Sequence, residues 1–308
     1  MEKAGLIYGP EVHHLDHLAP LCAQLKIPLI LTDVDVCSLA RRFYPDLEVI
    51  LWDPLEAPEK LVAQFDTIYY STPRVLFDEV FFFAQGFQNK RIRTIWCPHG
   101  NSDKGRSSVF MEALSEEEHL LVYGTRMETF LREKGIKAPV TRVGNYRLDY
   151  FKKHAAFYED LFPAKKKKTI LYAPTWQDGE KNSSFPYIWR FLLTTPKRFS
   201  LFVKLHPNLY VQFPEEIKQL KAEAPDHVTI LEDFPPIYPI LSKADIYVGD
   251  MSSIGYDFLA FKRPMILLKQ SDLVKAGTYL PEEKYPSLFE LCDSQKSIEN
   301  ALYEETFS

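Results

Sequence analysis

Tyr247-Val248-Gly249-Asp250-Met251-Ser252-Ser253-Ile254-Gly255-Tyr256-Asp257-Phe258-Leu259 is the stretch on which the fold turns. The short run 244–248 predicts a buried strand, and Gly249 breaks it. Asp250, Ser252 and Ser253 are helix-capping residue types, and Tyr256, Leu259 and Ala260 then recur at helical spacing. Strand, tight turn and helix start aim backbone N–H groups and two hydroxyls at one point. That arrangement binds anions, phosphate above all. The same residues also make an ordinary capped connection, so the meaning of the turn depends on what surrounds it.

Outward from this turn, the chain alternates strand and helix at roughly 20-residue spacing. Residues 4–8, 28–31, 48–52, 67–70, 93–97, 120–123 and 140–144 predict strands in the first half. Residues 169–173, 201–205, 228–231, 244–248 and 265–268 predict them in the second. Helical patterns at 58–65, 75–87, 125–133, 147–162 and 214–224 fall between strands, and 286–303 closes the chain as helix. This is the pattern of doubly wound parallel α/β sheets. A lysine run at 165–168 marks a seam. We expect two Rossmann-like domains, 1–150 and 151–308, with the C-terminal helix free to pack back on the first.

Composition limits the function. The 308 residues suffice for two cores, and 46% hydrophobic with 26% charged residues is ordinary for a globular protein. A net charge of −5 argues against nucleic acid as a partner. Cys22, Cys37, Cys97 and Cys292 are scattered, with no CxxC pair, and read as free thiols in a reducing compartment. No apolar run approaches the length of a membrane span, and the first residues lack a secretory pattern. The expectation is a cytoplasmic protein, with peripheral contact at the inner membrane face left open.

Ligands of open α/β sheets bind outside the carboxyl ends of the strands. The residues placed there are Pro98-His99-Gly100, Pro174-Thr175-Trp176, His206-Pro207 and the opening turn. One histidine thus leaves a strand in each half. Either each meets a ligand across the cleft, or His99 caps its loop and His206 bonds the backbone. The loop after His99 carries Gly100, Lys104, Gly105 and Arg106, which suits a phosphorylated ligand. GxxxxGK[ST], GxGxxG and GxSxG are absent, which disfavours P-loop hydrolases, NAD dehydrogenases and α/β-hydrolases. His13 and His17 share an i, i+4 spacing, but no third ligand is evident nearby, so no metal site is expected.

Five motifs in order resemble one family. They are His99-Gly100 with Lys104-Gly105, Val143-Gly144-Asn145-Tyr146-Arg147-Leu148-Asp149, Tyr172-Ala173-Pro174-Thr175-Trp176, Lys204-Leu205-His206-Pro207, and Gly249 to Asp257 running on to Lys262-Arg263-Pro264. Together they resemble the CDP-glycerol glycerophosphotransferases of teichoic-acid synthesis, which have the two-domain GT-B fold. Pro98 before His99, Asn101-Ser102 after Gly100, and Asn145-Tyr146 before Arg147 depart from that family's pattern. The first of these touches the acceptor side.

The resemblance implies transfer of glycerol phosphate, or a related polyol phosphate, from CDP-glycerol to a polyol, glycan or lipid-linked hydroxyl, with CMP leaving. It implies His99 as general base and His206 on the donor pyrophosphate. Ser252 and Ser253 would hold the phosphates, with Thr175, Lys204 and Asp250 beside the nucleotide. Asp257 would orient the turn or reach the ribose. Lys204 and Arg147 would add positive charge or serve the structure. No metal or other cofactor is demanded. Two alternatives stand beside this reading: a GT-B enzyme acting on a nucleotide sugar, and a degenerate homologue that binds without turnover.

Overall fold

The computed structural model describes every residue except 1, 73–76, 78, 79, 81, 102–112, 163–166 and 296–301. Two parallel sheets carry the chain. The first contains β1 (Lys3–Ile7), β2 (Leu29–Leu31), β3 (Val49–Leu51), β4 (Thr67–Tyr70), β5 (Arg93–Trp96), β6 (His119–Val122) and β7 (Val140–Arg142). Its order is β3-β2-β1-β4-β5-β6-β7. The second contains β8 (Lys168–Ala173), β9 (Phe199–Val203), β10 (Val228–Ile230), β11 (Ile246–Gly249), β12 (Met265–Leu267) and β13 (Thr278–Tyr279). Its order is β10-β9-β8-β11-β12-β13. Strand order therefore reverses between β1 and β4 in one sheet and between β8 and β11 in the other. These reversals open the crevices where such sheets take ligands.

Both faces of each sheet are covered, and the strand sequences show it. Along β8, Ile170 and Tyr172 point to one core while Leu171 and Ala173 point to the other. β11 does the same, with Ile246 and Val248 on one face and Tyr247 on the opposite one. Strands buried on both sides need continuous apolar runs rather than alternation, and these runs are what the sequence contains.

Several elements differ from the sequence reading. The helix expected over 147–162 is two helices, Tyr146–Lys153 and Ala155–Glu159, broken at His154. A helix at Phe185–Leu192 and the two-residue β13 were not anticipated. Parts of the helix expected at 75–87 and of the tail at 286–303 lie outside the described residues, as does half of the lysine seam. The C-terminal helix Leu302–Phe307 lies on the first half: Phe307 joins that half's core. The Thr125 amide also donates to the Ser308 carbonyl at 2.8 Å.

Candidate functional site

The turn after β11 forms as its residue types dictate, but its charged members face inward. β11 ends at Gly249, and Ser252 caps the helix Ser253–Phe258 by accepting from the Ile254 amide. Asp250 is fully buried. Its carboxylate accepts from the Thr175 amide at 2.7 Å, and from the Ser184 amide and hydroxyl at 2.7 Å each. Asp250 thus ties the exit of β8 to the exit of β11. A carboxylate aimed at a phosphate would repel it, and here the charge is spent on internal donors. Thr175 is likewise enclosed, its carbonyl accepting from Ser183 Oγ at 2.8 Å. Ser253, partly exposed, is the hydroxyl left on the cleft side.

Arg147 and Asp257 take the structural alternative that the sequence left open. Both are 2% exposed and paired with each other. The other arm of the guanidinium donates to Asp16 at 2.7 Å, and its face lies 5.1 Å from the Tyr123 ring and 5.5 Å from Tyr238. Asp16 also accepts from the Ile237 amide at 2.9 Å. Arg147 is therefore the centre of a buried ion network joining the two halves. Burial pushes the Asp257 carboxyl up to about 6, against the pull of Arg147. Asn145 and Tyr146, which depart from the family pattern, have partners here. Asn145 Oδ1 caps its helix at the Leu148 amide, and Tyr146 Oη donates to the His17 carbonyl at 3.0 Å.

Opposite the turn, five histidines gather. His99 leaves β5, while His13, His14 and His17 follow β1 across a 3-10 turn into the helix Leu15–Leu25. Ring centroids run His99 to His14 at 5.4 Å, His14 to His13 at 4.2 Å, and His13 to His206 at 6.0 Å. Trp176 follows 6.4 Å beyond His206. A continuous line of rings thus crosses from the first sheet's crevice to the second's. His17 stands apart from His13. It is buried against Tyr123, its Nδ1 2.7 Å from Tyr123 Oη, which in turn donates to the Pro98 carbonyl at 3.2 Å. That pair fixes the peptide ahead of His99.

His99 is held against the Ser71 backbone, and Ser71 Oγ sits 2.7 Å from His14 Nδ1. Burial, and secondarily the nearby His13, lower the His99 pKa to about 4, so the ring is neutral at neutral pH. His14 is held lower still, at about 2, first by burial and then by its histidine neighbours. Gly100 has φ +128°, and a Cβ there would lie 2.6 Å from Ser253 Cβ. The loop after β5 therefore touches the donor turn directly.

In the second half, His206 caps the helix Pro207–Gln212 through its ring. Nδ1 accepts from the Asn208 amide at 3.2 Å. A neutral ring so used carries its proton on Nε2 and can donate it. Lys204, at the end of β9, donates to the Glu232 carbonyl at 3.2 Å, and burial lowers its pKa to about 8. Lys104 lies outside the described residues.

Reading the sequence did not single out His14 or Ser71 as site members. Their shared signal is position: they follow β1 and β4, the strands between which order reverses.

The model of the family described as CDP-Glycerol:Poly(glycerophosphate) glycerophosphotransferase matches residues 110–286. A teichoic acid glycerol-phosphate primase of Bacillus subtilis is 25% identical over 215 residues, covering 63% of this chain and 55% of the relative. A teichoic acid glycerol-phosphate transferase of Staphylococcus aureus is 28% identical over 121 residues, covering 37% and 29%. The chain thus spans about half the length of the first relative and less of the second. Among solved structures, the H548A form of the wall teichoic acid polymerase TagF superposes with TM-score 0.62 at 15% identity. It covers 100% of this chain and 85% of its own. S. aureus MnaA with UDP superposes at TM-score 0.62 and 14% identity, covering 99% and 90%. Two parallel sheets related in this way are the GT-B fold. With its model covering more than half of the 308 residues, the CDP-glycerol:poly(glycerophosphate) glycerophosphotransferase family is the one to which this chain belongs.

Proposed function

We propose that the protein transfers glycerol phosphate, or a related polyol phosphate, from a CDP-linked donor to a hydroxyl acceptor. The acceptor oxygen attacks the phosphorus bearing the polyol. The bond from that phosphorus to the bridging oxygen breaks, CMP leaves, and the acceptor proton passes to His99. His206 donates through Nε2 to the donor pyrophosphate, where charge grows on the leaving group. Ser253 and the helix start behind it hold the phosphates. Family membership supports the substrate class. The observation that carries the mechanism is the line of rings joining His99 to His206 across the two crevices.

Burial keeps the His99 ring unprotonated at neutral pH, so it can take the acceptor proton. Phosphoryl transfer draws mainly on positioning and charge stabilisation, so the proposed step calls for no metal. We place the reaction in the cytoplasm, with any membrane contact peripheral. No helix among the described residues is long and apolar enough to cross a membrane.

CMP release from CDP-glycerol in the presence of a polyol acceptor tests the proposal. His99→Ala and His206→Ala should each lower turnover about 10²–10⁴-fold, the usual cost of one acid–base group. Near-wild-type turnover in both variants would falsify the mechanism. A second reading comes from solved structures of similar fold, several of which carry UDP or a UDP-sugar. Thermal stabilisation by UDP and not by CDP would favour it.

A further inference from the structure

The crevice between β1 and β4 holds a set of ligand atoms that the proposed transfer does not use. Glu11, His13 and His14 each offer one such atom, and all three atoms lie within 4.8 Å of one another. We propose that these side chains bind a divalent metal ion of the zinc class. Two imidazoles and a carboxylate suit a borderline ion such as Zn²⁺ or Co²⁺ and not Mg²⁺ or Ca²⁺, which prefer oxygen. Three protein ligands leave a fourth tetrahedral position for water or a substrate oxygen.

Two further observations support the set. Histidines that ligate metal ordinarily fix their second ring nitrogen with a hydrogen bond. Ser71 Oγ lies 2.7 Å from His14 Nδ1, and when it accepts that N–H the Nε2 lone pair is left for a ligand. Glu11 is already drawn to His13, with Oε2 3.3 Å from Nδ1. Bonds of about 2.0–2.2 Å place tetrahedral donors roughly 3.4 Å apart, so a closure of up to about 1.4 Å from the present spacing completes the site. The spacing of His13 and His17 pointed to a different pair. His17 turns inward to Tyr123, and Glu11 supplies the third ligand.

The test needs no turnover. The full chain, stripped with a chelator, is titrated with Zn²⁺ against a chromophoric competitor, and with Co²⁺ by visible absorption. The expected result is one ion per chain with four-coordinate Co²⁺ bands. Glu11→Gln and His13→Ala, both at partly exposed positions, should weaken binding by tenfold or more. Ser71→Ala should weaken it about 10–100-fold through His14. His154→Gln should leave it unchanged. Circular dichroism of each metal-free variant confirms that it is folded before titration. No stoichiometric ion, or an ion retained by the Glu11→Gln/His13→Ala double variant, overturns the site. His99→Ala should keep the ion while losing transfer, which separates this proposal from the mechanism above.

Discussion

The two walls of the cleft are built in opposite ways. The second-sheet wall comes from contiguous residues: one strand, one turn and one short helix bring Asp250, Ser252 and Ser253 together by local chemistry alone. The first-sheet wall is assembled by topology. His14, Ser71 and His99 are far apart in sequence and meet because β1, β4 and β5 lie side by side. A local motif announces itself but not the roles of its charges. A dispersed site hides itself, yet its members all stand at strand ends where order reverses.

Arg147 breaks or confirms this comparison with the largest effect. If the family motif's arginine serves structure here, Arg147→Met strands Asp16 and Asp257 without their partner. Loss of one member of a buried ion network costs about 3–5 kcal/mol. In a chain of this size that is about 10 °C in melting temperature. Donor KM of the folded protein should hold. A raised KM with an unchanged melting temperature would return Arg147 to the phosphates.

Gly100 probes the contact between the walls. Gly100→Ala drives a Cβ against Ser253 and forces alanine into the left-handed region. Displacing the loop by about 1 Å should cost around 10²-fold in kcat/KM, with a smaller loss of stability. Wild-type kinetics would show that the loop does not position the reacting groups.

Lys204 gives a smaller, pH-dependent effect. Its lowered pKa means that its charge is present below about 8 and lost as pH rises through that value. Affinity for the anionic donor should therefore fall, with KM rising about tenfold between pH 7 and 9.5, the scale of one lost charge-assisted bond. An ordinary lysine would hold its charge past pH 10. Lys204→Arg should abolish the rise. A KM that stays flat in the native enzyme would take Lys204 out of the donor site.

The fold was legible where apolar runs were continuous. Residues 67–70 and 125–133 form the predicted strand and helix with the same bounds. Phe185–Leu192 escaped because Tyr, Ile, Trp and Phe read as readily as strand, and Pro186 masks the helix start it occupies. β13 is too short to carry a period. At the site, strand-exit histidines were visible in the sequence. The partners of the charges were not: Asp250 bonds Thr175 75 positions away, and Arg147 meets Asp16 131 positions away. Long-range pairing of this kind leaves no local trace, so the internal partners of Asp250, Arg147 and Asp257 could not be read from the sequence.

The central claim is that His99 and His206, one from each wall, act as one site. A double-variant cycle on CMP release measures this most directly. The account predicts that His99→Ala/His206→Ala loses little more activity than the worse single variant, because groups acting as a unit are strongly non-additive. Losses that simply multiply would contradict it, and would mean that the line of rings joins two independent sites.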